Sequence, residues 1–204
     1  MIRKIALAGN PNVGKSTVFN ALTGMRQHTG NWAGKTVTNA VGKCTYDNTE
    51  YEIYDLPGTY SLFGESSDEE AASSFIKYEN PDAVIVVCDA TALERNLNLV
   101  LQIAAVSDNV VLCLNLMDEA KKGGMEIDIN ALSKLLNMPV IPSCARTGKG
   151  IFEVLAAASH NNEPPLKSDN TIADAERIAA ASIIKECKKS ELYFKKPFLS
   201  IRIF

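Results

Sequence analysis

No apolar run in this 204-residue chain reaches the ~18 residues that a membrane span requires. Basic residues are not in excess either. Lys and Arg number 21 against 24 Asp and Glu, a formal net charge of −3, which argues against nucleic acid or an anionic membrane surface as a partner. The five cysteines (Cys44, Cys88, Cys113, Cys144 and Cys187) form no CxxC pair, and both histidines are remote from them. Neither a metal cluster nor a disulfide frame is expected. Cys88 and Cys113 fall in apolar runs and read as small buried hydrophobes. Residues 1–8 run straight into a strand pattern without a signal-cleavage site, so the chain reads as cytosolic. It shows no internal repeat and no low-complexity tract.

What is present is alternation. Residues 2–8 form an apolar strand, followed by a helix over 15–24. Thr38–Tyr46 and residues 51–55 read as two strands joined by a polar turn at 47–50, a hairpin. Residues 69–78 read as helical. Ala83–Asp89 is continuously apolar, as in a strand buried on both faces. Leu93–Val106 repeats Leu93, Leu97, Val100, Leu101 and Ala104 on one helical face. Strand Val110–Asn115, a helix over 128–136, strand Val140–Pro142 and a helix over 151–159 complete the series. Strands alternating with helices predict an α/β fold, a mostly parallel six-stranded sheet flanked by helices. The unit spans residues 1–160. A polar, proline-containing linker follows at 161–170, then a helix over 171–190 within a C-terminal helical extension, 171–204. The last stretch carries Phe194, Phe198, Leu199, Ile201, Ile203 and Phe204, which need a partner or a further segment to pack on.

The first strand runs into Gly9-Asn10-Pro11-Asn12-Val13-Gly14-Lys15-Ser16, and Thr17 follows. This fits GxxxxGK[ST] between a strand and a helix, the context that the motif of P-loop NTPases requires. Glycine lets backbone N–H groups close around phosphate oxygens, and the helix N-terminus adds its positive end. Lys15 would reach the β- and γ-phosphates, and the Ser16 hydroxyl would ligate Mg²⁺.

Three further motifs follow in order. Asp55-Leu56-Pro57-Gly58 ends a strand; Asp55 would hold Mg²⁺ and the Gly58 amide the γ-phosphate. Asn115-Leu116-Met117-Asp118 looks like the NKxD element without its lysine. The Asp118 carboxylate would accept guanine N1–H and the 2-amino group, a donor pair that adenine lacks. Met117 would supply apolar contact to the base. Ser143-Cys144-Ala145 resembles the loop whose amides meet guanine O6. Each motif alone also fits a turn or a helix cap. Together they sit at the carboxyl ends of expected parallel strands, where ligands bind in open α/β sheets. They resemble Ras-like, translation-factor-class GTPases, with GTP as substrate, GDP as product and Mg²⁺ as cofactor.

Four stretches narrow the resemblance. They are Gly9-Asn10-Pro11-Asn12, Gly30-Asn31-Trp32-Ala33-Gly34-Lys35-Thr36-Val37, Asp55-Leu56-Pro57-Gly58-Thr59-Tyr60-Ser61-Leu62, and Asp89-Ala90-Thr91-Ala92-Leu93-Glu94-Arg95-Asn96-Leu97. Over residues 2–159 the chain is similar to the cytosolic G domain of the ferrous iron transport protein B family. The resemblance implies that Thr36 is the switch threonine, with its hydroxyl on Mg²⁺ and its amide on the γ-phosphate. It implies a switch loop at 30–32 whose Gly30 and Trp32 carbonyls, with the Asn12 side chain, hold K⁺. Such an ion would neutralise charge developing in the transition state, in addition to Lys15. Thr59 stands where Ras-like proteins carry a catalytic Gln, so slow intrinsic turnover is expected.

The resemblance also implies a regulatory GTPase on the cytoplasmic face of the inner membrane. The transport portion of the same polypeptide would be its partner, and the G domains would be able to self-associate. Residues 171–204 would begin a helical spacer that normally runs longer. Two other readings are a stand-alone GTPase of ribosome assembly or tRNA modification, and a nucleotide-dependent interaction module with little hydrolysis. The first lacks a basic stripe; the missing Gln favours the second. Trp32 fits a base-stacking or docking residue as well as a conformational latch. The acidic run at 65–70 reads as a helix start. His28 and His160 read as surface residues.

Overall fold

The computed structural model describes residues 2–24, 27–31, 38–64, 66–160 and 164–185. All six expected strands form: β1 (Ile2–Gly9), β3 (Thr38–Tyr46), β4 (Thr49–Asp55), β5 (Ala83–Asp89), β6 (Val110–Asn115) and β8 (Val140–Pro142). A further strand, β2 (Gln27–Asn31), makes the main sheet seven-stranded, in the order β2-β3-β4-β1-β5-β6-β8. Strands β4, β1, β5, β6 and β8 run parallel, so their carboxyl ends share one edge. β2 and β3 are antiparallel additions. The β3–β4 turn is tighter than expected. Asp47 and Asn48 both take left-handed backbone, φ 47° and 57°, the two-residue hairpin geometry that suits Asn and Asp.

Alternation along β1 explains the layering. Ile5 and Leu7 point to one face and Ala6 and Ala8 to the other. The first face is covered by α1 (Lys15–Thr23) and α6 (Ile151–His160), through Val18, Phe19, Val154 and Leu155. The second carries α2 (Ser67–Ser74), α3 (Leu93–Val106), α4 (Met117–Lys122) and α5 (Ile129–Leu136). Ser66 and Glu69 form a reciprocal capping box that starts α2. The Asp128 carboxylate caps α5 by accepting the Ala131 N–H at 2.9 Å.

The structure corrects or adds to three expectations. Gly30 was expected in a loop, but it lies in β2, opposite Asn39. The Gln27–Asn31 segment has no apolar alternation to announce a strand; the free edge of β3 supplies the backbone partners. The expected linker is fastened to the body. The Lys167 ammonium donates to the Ala104 carbonyl (2.6 Å) and pairs with Asp108 (3.0 Å) at the end of α3, while the Leu166 N–H donates to the Leu136 carbonyl. Finally, the helix expected over 171–190 stops early. α7 spans Thr171–Ser182, and the chain then extends as β9 (Ile183–Lys185) against β7 (Glu126–Ile127). The Ser182 carbonyl is taken by the Asp128 N–H at 2.7 Å, which ends the helical ladder there.

α7 buries Ala175, Ile178 and Ala179 in the same apolar cluster as α3 and α5. Ile178→Ala should therefore cost about 2–5 kcal/mol, the usual loss for truncating a buried Ile. The melting temperature should fall by roughly 5–15 °C for a chain of this size. A loss of a degree or two in a thermal melt would mean that α7 is not part of the core.

Candidate functional site

The phosphate loop leaves the end of β1 and turns into α1. Two residues take left-handed backbone, Asn12 at φ 66° and Gly14 at φ 83°. Gly14 has a second reason to be glycine: a Cβ there would lie 2.5 Å from the Asn115 amide nitrogen. Gly9 faces a similar limit from the Val87 carbonyl at 2.6 Å. Gly14, Lys15, Ser16, Thr17, Asn10 and Asn12, with Gly58, line one cleft of about 520 Å³. Asn12 is exposed, whereas Val13 is buried beneath the loop. The strand-to-helix geometry is thus the one expected for gripping a phosphate.

Lys15 and Asp55 meet at this cleft, the ammonium on the carboxylate in an ion pair with both side chains largely buried. Burial raises the Asp55 pKa, and the Lys15 charge and hydrogen bond oppose that shift. The Asp55 loop runs directly over the phosphate loop: the Leu56 N–H donates to Leu7 O and the Thr59 N–H to Gly9 O at 3.2 Å. Thr59 is only 4% exposed, so its side chain is not displayed where a catalytic Gln would act. Asn10 is buried and its amide nitrogen and oxygen have no partner among the described residues. Ser16 and Asp55 supply hard oxygens suited to Mg²⁺. The expectations for Thr36, Trp32, Glu65 and the tail 186–204 lie outside the described residues, as does the side chain of His28. His160 ends α6 exposed.

A second cleft, about 380 Å³, opens beside the first and shares Gly14 and Thr17 with it. Asn115 ties the two together. Its amide nitrogen donates to Val13 O and its oxygen accepts the Ala145 N–H, both at 3.0 Å. Leu116 takes left-handed backbone at φ 60°, a costly conformation for a branched residue. Asp118 follows at the start of α4 and lines this cleft. Hydrogen bonds from Cys144 and the Arg146 guanidinium hold that carboxyl below the usual aspartate range, so it is ionised at neutral pH.

Two expected contacts fall differently. Met117 packs against the core and lines a neighbouring cleft rather than this one; the second residue of the motif, Leu116, holds the lysine position of NKxD and lines the cleft instead. The apolar floor here is Leu116, Cys144 and Ala145. In the Ser143–Ala145 loop the amides donate within the protein, to Leu114 O, Lys149 O and Asn115 Oδ1 in turn. An O6 contact from these amides requires one of them to be released. The Ser143 hydroxyl is committed to Leu114 O and Cys113. Arg146, one residue past the loop motif, is the contact that sequence reasoning missed. Its signal was only a cation beside a loop expected to touch the base.

The comparisons with known proteins agree with this geometry. A family model described as ferrous iron transport protein B matches residues 3–158. The Fe(2+) transporter FeoB of Salmonella typhimurium is 40% identical over 186 residues, covering 84% of this chain and 24% of the relative. The chain thus spans about a quarter of that relative's length. The G domain of the T. maritima FeoB iron transporter superposes with a TM-score of 0.73 at 41% identity, covering 78% of this chain and 98% of that one. A point mutant of S. thermophilus NFeoB bound to GDP gives 0.74 at 35% identity, covering 81% of this chain and 64% of that one. Among the described residues no helix is long and apolar enough to cross a membrane.

Proposed function

The chain belongs to the ferrous iron transport protein B family, and from that premise we propose that it binds and hydrolyses GTP to regulate a ferrous iron membrane transporter. The observation that carries this reading is the Lys15–Asp55 ion pair at the phosphate-loop cleft, with Asp118 in the cleft beside it, on one edge of the parallel sheet. The phosphate loop grips the β- and γ-phosphates; Asp118 reads guanine. Ser16, Asp55 and Thr36 would hold Mg²⁺, which would supply charge neutralisation at the phosphates. Lys15, paired here with Asp55, is the cation that would contact the phosphates, and Asp55 would then be available to Mg²⁺. The Gly58 amide meets the γ-phosphate.

Thr59 in place of Gln, buried and tied by its N–H to Gly9, supports slow hydrolysis. The exposed Asn12, held in left-handed backbone on the cleft rim, would be the side-chain ligand for K⁺, with the Gly30 and Trp32 carbonyls. The membrane portion of the parent polypeptide is the partner, which places this part at the cytoplasmic face of the membrane. Residues 171–204 begin a helical spacer, docked through α7. Family membership supports this over an RNA-associated GTPase.

The test is phosphate release at matched ionic strength in K⁺ and in Na⁺. Hydrolysis should be faster in K⁺, and Asn12→Ala should abolish the difference while GDP still binds. Equal rates in the two salts remove Asn12 from this role. No release above the uncatalysed rate in single-turnover conditions would leave an interaction module instead.

A further inference from the structure

The Arg146 guanidinium lies across the carboxylate expected to read the base, its Nη2 2.9 Å from Asp118 Oδ2. Lys122 stands 4.0 Å from the same oxygen, but its nearer partner is Glu119 at 2.9 Å. Among the described residues, Arg146 is therefore the close cation. Its backbone is pinned on both sides: the Ala145 N–H donates to Asn115 Oδ1, and the Thr147 N–H and hydroxyl both donate to the Cys144 carbonyl. The side chain itself is 72% exposed, against 26% for Asp118. A charged head on a flexible stem, mounted on a fixed turn, is a partner that can leave.

Guanine offers two donors, N1–H and the 2-amino group, and a parallel pair of bonds uses both carboxylate oxygens. Arg146 on Oδ2 competes directly with one of these donors, and the Cys144 thiol also bonds the carboxyl. We propose that Arg146 is a latch on Asp118 that tunes base recognition. It pairs with the carboxylate when the cleft is empty and yields Oδ2 when guanine brings both donors. When the base lacks the 2-amino group, Arg146 stays on the second oxygen. The latch thus lowers affinity for guanine and softens rejection of hypoxanthine. This inference rests on the nucleotide reading above.

The experiment compares GDP and IDP binding to the wild-type chain and to Arg146→Ala by fluorescence competition, in moderate and in high salt. Exposed ion pairs of this kind correspond to about 2–5-fold in an equilibrium constant. Arg146→Ala should bind GDP tighter by about that factor. IDP should gain nothing, so the ratio of IDP to GDP dissociation constants rises. The difference between the two proteins should shrink at about 1 M salt, where screening acts within about 3 Å. Arg146→Gln, which keeps the stem without the charge, should behave like the alanine variant. Weaker GDP binding by the variants would overturn the latch and make Arg146 a base contact. An unmoved IDP/GDP ratio, or a difference that persists in high salt, would also overturn it. A wild-type chain that binds no GDP would overturn the nucleotide reading, and the latch with it.

Discussion

Lys15→Ala should abolish useful nucleotide binding, with GDP and GTP affinities falling roughly 10²–10⁴-fold. The estimate takes two charge-assisted phosphate contacts at about 1.5–3 kcal/mol each. Isothermal titration with GDP checks it directly; a loss below tenfold would remove Lys15 from the phosphate site. The variant carries a second signature. Lys15 is the cation paired with the largely buried Asp55, whose pKa is already raised by burial and held down only by that lysine. Without the lysine the folded-state pKa rises further. A carboxyl whose pKa is raised on folding binds its proton more tightly in the native state. Its contribution is present below the unfolded aspartate value, about 3.9, and is lost as pH rises through the folded value. The destabilisation of Lys15→Ala should therefore be largest near neutrality and shrink as pH falls through that window. Adding Asp55→Asn to Lys15→Ala should recover stability at pH 7 without restoring binding. That separates the buried-charge effect from the loss of the phosphate contact.

Asp118→Asn should invert base preference. The carboxylate accepts from N1–H and the 2-amino group, whereas an Asn amide accepts once and donates once. Xanthine presents N1–H and an O2 acceptor, which match that amide. GDP affinity should fall by roughly 10²–10⁴-fold, the value of two hydrogen bonds to a charged group, and XDP should overtake GDP. Competition of the two diphosphates against one fluorescent probe reads this out. Because Asp118 is partly exposed and its pairs lie at the surface, the fold should be little affected. Unchanged GDP affinity in a well-folded variant would take Asp118 out of the base site.

Much of this was legible in order and period. The apolar runs at Ala83–Asp89 and Val110–Asn115, and the single apolar face of Leu93–Val106, are strong local signals, and all three elements form with those bounds. Gly9, Gly14, Lys15 and Asp55 could be placed because the chemistry constrains residue type and spacing together. β2 was not legible. Its polar Gln-His-Thr-Gly-Asn has no preference of its own, and its pairing is offered by β3. The end of α7 was not legible either. Ile183 and Ile184 continue the apolar pattern past Ser182, but a distant backbone N–H, that of Asp128, claims the carbonyl that would extend the ladder.

The division has a physical basis. Periodic burial, turn chemistry and the phosphate-gripping loop are written in neighbouring residues, so sequence alone determined the α/β order and the places of Lys15, Asp55 and Asp118. Contacts between side chains far apart in the chain depend on how strands are ordered in the sheet. Only the tertiary structure could bring Asn115 onto Val13 and Ala145 and lay Arg146 across Asp118.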